Sequence, residues 1–129
     1  MAYEEILESI TIPASADLSS YQYRAVKVGA SGLALAGAGE VAIGILQGNP
    51  DAAGQAASVG VKGISKLWVT AGTAISVNSA LRSSTIGYGV ISSTGGTPYV
   101  FARALEACST GVTKIIPVLI THEGPSSTA

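Results

Sequence analysis

One stretch constrains this chain more than any other: VAIGILQGNPDAAGQAASVGVKGISKLWV, from Val41 to Val69. Val41, Ile43 and Ile45 alternate with Ala42 and Gly44, the period-2 spacing of a half-buried strand. Gly48-Asn49-Pro50-Asp51 then places turn-forming residues side by side. Val59 and Val61 alternate with Gly60 and Lys62, and Gly63 interrupts before Ile64, Leu67 and Val69. That interruption predicts a bulge or sharp bend. Nothing in the stretch is arranged for chemistry. It reads as scaffold, and function falls to surfaces.

The flanking segments continue the β pattern. Tyr21 to Val28 and Leu33 to Leu35 surround the turn Gly29-Ala30-Ser31-Gly32, which predicts a hairpin. Ile75, Val77 and Leu81 form a short segment around Asn78-Ser79, a tight turn because Asn tolerates the left-handed conformation. Strands are predicted at 86–91 and 99–107, the second favoured over helix by Tyr99, Val100 and Phe101. A last strand spans 114–121, where Pro117 points to an edge or a bulge because it has no amide proton. About eight short strands at this spacing predict a sandwich or small barrel. The alternation assigns Val26, Val28, Val41, Ile43, Ile45, Val59, Val61, Val90 and Val118 to the core.

Residues 1–20 differ from the rest. Ile6, Leu7, Ile10 and Ile12 precede Pro13, and 14–20 is a small-residue linker. Two readings stay open: an arm that adds a strand to a partner's sheet, or an N-terminal strand of the same barrel. Glu4, Glu5, Glu8 and Asp17 make this segment acidic, while the body from Tyr21 carries seven basic and four acidic residues. Charged residues are 12% of the chain, against roughly 25% in ordinary soluble domains, which favours a surface covered by copies or partners.

Composition also narrows the chemistry. His122 is the single histidine, read as solvated, and Cys108 the single cysteine, read as a small hydrophobe at a strand end. No metal-ligand spacing, Ser-His-Asp arrangement or acid/base pair emerges, so no enzyme, metal or cofactor is expected. The glycines match neither GxxxxGK[ST] nor a strand-borne GxGxxG. Lys62 and Lys66 flank Trp68, a weak version of a single-strand stacking platform; Trp68 reads better as a core or interface anchor. The net charge of −1 gives no field toward nucleic acid or membrane, and the longest strictly apolar run, 115–120, is short of the ~20 residues of a membrane helix. Without a basic, apolar leader or paired cysteines, the expected setting is a reducing cytosol.

In order and spacing, one set of segments resembles the tailed-phage capsid cement (head-decoration) proteins. They are 17–26 (DLSSYQYRAV), 42–47 (AIGILQ) with Pro50, 54–59 (GQAASV), 63–66 (GISK), 71–75 (AGTAI), 104–107 (ALEA) and 118–119 (VL). Asn78 stands where such proteins tend to carry Gly, a different residue for the same backbone need. The resemblance covers roughly 16–120 and leaves out the first 15 residues and the tail. It implies an all-β, small compact barrel or sandwich (β-tulip-like) with an extended N-terminal arm. Its parts would be an arm and linker over 1–20, a β-rich decoration domain over 21–121 and a flexible tail over 122–129. The implied role is to bind the outer surface of an icosahedral head, bridge neighbouring major capsid subunits and resist DNA pressure. The implied partners are the major capsid protein and further copies of the chain, as a trimer rather than a dimer. Synthesis in the host cytoplasm would precede residence on the virion. The capsid-contact arm would use Ile6, Leu7, Ile10 and Ile12, with Trp68 as an anchor. The rival reading is a small β-barrel that binds single-stranded nucleic acid or a ligand.

Overall fold

A computed structural model describes residues 4–92 and 98–125. Nine strands and no helix occur among them: β1 (Glu5–Pro13), β2 (Ala25–Gly29), β3 (Gly32–Leu35), β4 (Gly44–Leu46), β5 (Ala56–Thr70), β6 (Ala80–Ser83), β7 (Gly89–Ile91), β8 (Tyr99–Ala104) and β9 (Thr113–Pro125). The expected all-β fold is present.

β5 is the hub. Its first half pairs antiparallel with β1 and β4, and its second half with β9 and, through the parallel rung Val69↔Gly89, with β7. From β7 the pairing passes through β6 and β8 to β9 and so returns to β5, which makes a five-stranded ring. On the other side it runs β5-β4-β2-β3, and a single parallel bridge, Ala14↔Leu33, brings β3 back to the end of β1. Two rings therefore share one long strand. Ala14 is the clasp of the second: its N–H donates to Gln55 O, its carbonyl accepts from Gly54 N–H, and Ser15 N–H donates to Leu33 O.

The side-chain period of two sends Ala57, Val59, Ser65, Leu67 and Val69 of β5 inward. Leu67 and Val69 join Leu81, Phe101, Ile116 and Val118 in the five-stranded ring, all fully buried. Val59 joins Val26, Leu33, Leu46 and Leu18 in the smaller one. Each such side chain contributes about 1.5–3 kcal/mol on burial. Cys108 packs in the larger core, and its thiol lies 3.4 Å from Val112 O.

The hairpin of β2 and β3 and the turn at Asn78, with φ 74°, follow the sequence reading. Several expectations need correction. Val28 is 54% exposed: it lies opposite Leu33, but only Leu33 is covered by the chain at Ala14. Val41 is 58% exposed because Ala42 and Gly44 turn inward instead. A Cβ on Gly44 would strike the Gly60 carbonyl, so this close backbone approach selects glycine and sets the parity. Ile43, Val61 and Val90 are half-buried, whereas Val26, Ile45, Val59 and Val118 are buried.

The bulge expected at Gly63 is present in the β1 pairing, which shifts register between Ile6↔Gly63 and Glu8↔Lys62 and again before Ser9, while β5 itself continues through Gly63 at φ 108° rather than bending into a new strand. The strand expected at 86–91 is only β7, since Ile86 to Tyr88 belong to the hairpin turn closed by Ser84 N–H to Tyr88 O. The strand expected at 99–107 stops at Ala104. Pro117 is neither on an edge nor in a register break. Its carbonyl accepts from Leu105 N–H just past the last β8 rung, so its missing donor faces no ladder partner. β9 also runs four residues into the segment expected as a tail, held by the rungs Val100↔Gly124 and Tyr99↔Pro125. Residues 126–129 lie outside the described residues.

Candidate docking surface

Ile10-Thr11-Ile12 is β-branched throughout and pairs with Val59, Ser58 and Ala57, so the apolar N-terminal segment forms β1 on this chain's own β5. Glycines on β5 make room for it. A Cβ on Gly60 would sit 3.0 Å from Ile6 Cδ1, and one on Gly63 would meet the β1 backbone at Glu5 to Leu7. Ile12 packs against the smaller core and Ile6 is half-buried. Leu7, displaced by the register shift, is 67% exposed and Ile10 is 40% exposed. The structure thus brings all four predicted arm residues onto one strand, but not onto one face.

β1 makes a ladder with β5 alone among the described residues. Its other edge presents unpaired main-chain donors and acceptors beside exposed Glu4, Glu5 and Glu8. Such an edge is a template for a further strand. Acidic side chains along it oppose pairing with another acidic edge and favour a basic one.

Trp68 is elsewhere. It sits on the second half of β5, four residues past the last β1 rung at Ile64, opposite Ile115 on β9. Its backbone N–H donates to Tyr23 O at 2.8 Å, and its side chain is half-buried. Lys66 Nζ lies 5.6 Å from the Tyr23 ring centroid. The Lys62-Lys66-Trp68 strip is therefore not an open stacking platform. Lys62 is exposed and Lys66 is occupied by Tyr23.

A further cluster was not visible in the sequence. The Arg24 guanidinium lies 4.3 Å from the Tyr88 ring centroid and 5.1 Å from that of Tyr21. It also donates to Ile86 O and Tyr88 Oη, both at 3.2 Å, which fastens the β6–β7 turn to the start of β2. No sequence signal joins residues so far apart.

The titratable groups serve structure. The Arg103 guanidinium, bonded through Nε and Nη2 to both Glu123 oxygens at 2.7 and 2.8 Å, holds that carboxyl below its usual range. Lys27, with help from the Gly37 amide, does the same for Glu40. The Ser19 hydroxyl and amide lower Asp17. Each is held charged rather than poised to trade a proton near neutrality. His122, read as solvated, has Nε2 2.9 Å from Val61 O. No group of three or more His, Cys, Asp or Glu that could hold a metal occurs among the described residues.

No family model matches the chain, and no curated protein matches it in sequence. A solved structure does match, described as the N base of the head fiber gp8.5 in bacteriophage phi29. It superposes with a TM-score of 0.60 over 91% of this chain and 96% of that one, at 20% identity. At that identity the likeness is one of fold. Its coverage is too broad to come from either ring alone.

Proposed function

We propose that this chain is a structural protein of a bacteriophage head, a decoration (cement) protein. It binds the outer capsid surface and bridges neighbouring major capsid subunits, so that the shell resists internal DNA pressure. The observation that carries this reading is the fold match, over nearly the whole of both chains, to a protein of a phage head. The scarcity of charge and the unpaired β1 edge support it.

In this reading Leu7 and Ile10 face a capsid strand that pairs along the free edge of β1, while Ile6 and Ile12 keep β1 on β5. Main-chain bonds supply affinity, and Glu4, Glu5 and Glu8 set register against basic capsid side chains. Trp68 anchors a second contact, between copies, in a homotrimer. The chain is made in the host cytoplasm and ends on the virion surface. Enzymatic activity has no part in this role.

The test is co-sedimentation with expanded heads of the phage that encodes the chain. The full chain is expected to pellet with heads, and a chain lacking residues 1–12 to lose binding by orders of magnitude. No pelleting of the full chain with expanded heads would refute the capsid reading. Undiminished binding of the truncated chain would instead move the contact away from β1.

A further inference from the structure

Arg82 is the half-buried cation without an acidic or aromatic partner among the described residues. Lys27, Arg103 and Lys114 pair with Glu40, Glu123 and Glu106. Arg24 and Lys66 lie over tyrosine rings, and Lys62 is exposed. Arg82 is half-buried and has no acidic partner among the described residues; Nη1 donates to Ser83 O at 3.2 Å. Partial burial of an unpaired guanidinium with unspent donors is a cost that an anion offsets.

Arg82 lines a cleft of about 560 Å³ between the end of β5, the β6–β7 hairpin and the loop before β4. β6 alternates, with Leu81 and Ser83 buried, so Arg82 lies on the opposite face, level with Val90 of β7. Ser84 Oγ accepts the Ile86 and Tyr88 amides at 3.3 and 3.1 Å, which leaves its own proton to donate. Thr73 and Thr85 add exposed hydroxyls, and Ala38 and Val90 an apolar wall. No carboxylate lines the cleft among the described residues.

The volume is in the range of small-molecule sites and too large for a lone oxyanion. Among the described residues the lining has one planar cation, several hydroxyls, a small apolar face and no aromatic ring for a base to stack on. We infer that this cleft binds an acidic saccharide, a sugar ring that carries a carboxylate or a phosphate. The anion sits on Arg82, the sugar hydroxyls meet Ser84, Thr73 and Thr85, and one ring face rests on Ala38 and Val90. This goes beyond the capsid role and does not depend on it, since the cleft shares no residue with β1.

Titration of the full chain followed by amide chemical shifts tests it, with glucuronate, glucose 6-phosphate, glucose and inorganic phosphate as probes. At least one sugar acid is expected to shift the 82–90 amides with millimolar affinity, at least tenfold tighter than glucose or inorganic phosphate. Which acid binds identifies the anion. Arg82→Gln should weaken that binding at least tenfold. Ala38→Trp, which fills the cleft and leaves the cation in place, should abolish it. Inorganic phosphate or glucose binding as tightly as the better of the two sugar acids, no response to either acid, or both variants binding like the parent would overturn the assignment. Head binding by both variants should stay at the parent level, so failure here leaves the capsid reading untouched.

Discussion

β1 and β9 are both antiparallel partners of β5, and each meets it along eight register pairs. Their contributions to the interior are opposite. β9 sends Ile116, Val118 and Ile120 into the larger core, while no residue of β1 is fully buried. β9 is also fixed by β8 along its other edge, whereas that edge of β1 is open among the described residues. Ladder length alone therefore says little about how firmly a strand is held. Buried area and a second neighbour decide it, because the net gain per hydrogen bond is only about 0.5–1.5 kcal/mol. A strand bonded on one side and scarcely buried suits an attachment element.

The sharpest way to break this contrast is a matched pair of substitutions. Ile116→Ala, at a site with no exposure, should cost about 2–5 kcal/mol in denaturant unfolding. A loss comparable to a surface change would mean that the ring core does not carry the fold.

A smaller effect concerns the far end of β9, which the Arg103–Glu123 pair fastens to β8. Glu4, Glu5 and Glu8 give β1 no such ion pair among the described residues. Both partners are about a third exposed, so Glu123→Gln should cost about 0.2–1 kcal/mol at neutral pH. The sign follows from the lowered Glu123 pKa. A carboxyl that binds its proton less readily when folded stabilises fully above its unfolded value, about 4.3, and loses that contribution as pH falls through the folded value. The gap between parent and variant should therefore close below pH ~4 in thermal unfolding. A gap that persists at low pH would assign the effect to packing.

The smallest effect completes the matched pair. Ile10→Thr keeps β-branching at an exposed site on β1 and should move stability by no more than about 0.5 kcal/mol. A loss near that of Ile116→Ala would show that β1 belongs to the core after all.

How much of this was legible follows from what period-2 patterns encode. The β2–β3 hairpin was readable because Gly29 to Gly32 and the flanking alternation are local. The class of fold was readable from many short strands and no helix. Face assignment failed at Val41, where parity depends on the approach of Gly44 to Gly60, and Val28 is exposed on the same face as Val26 because the chain at Ala14 covers only Leu33; both are distant contacts. Phe101, Leu81 and Ile116 were missing from the expected core because they depend on ring closure. The apolar residues of β1 were legible as a surface, but composition could not say which sheet they would join. Arg82 gave no signal in the sequence, because what sets it apart is the absence of an acid near it in space among the described residues.

The clasp at Ala14 has a mechanical consequence. Tension applied upstream of β1 reaches its rungs one after another from the Glu5 end, so each opens at the cost of a hydrogen bond or two. At Ala14 the load meets three main-chain bonds to two separate segments around a buried side chain, and it is shared among them. Peeling Glu5–Pro13 detaches nine residues that are already extended at about 3.3 Å each, so the segment swings off β5 with almost no gain in its own length. β1 is then a fuse with a stop: under strain it comes away from β5 and leaves the β5-β7-β6-β8-β9 ring closed.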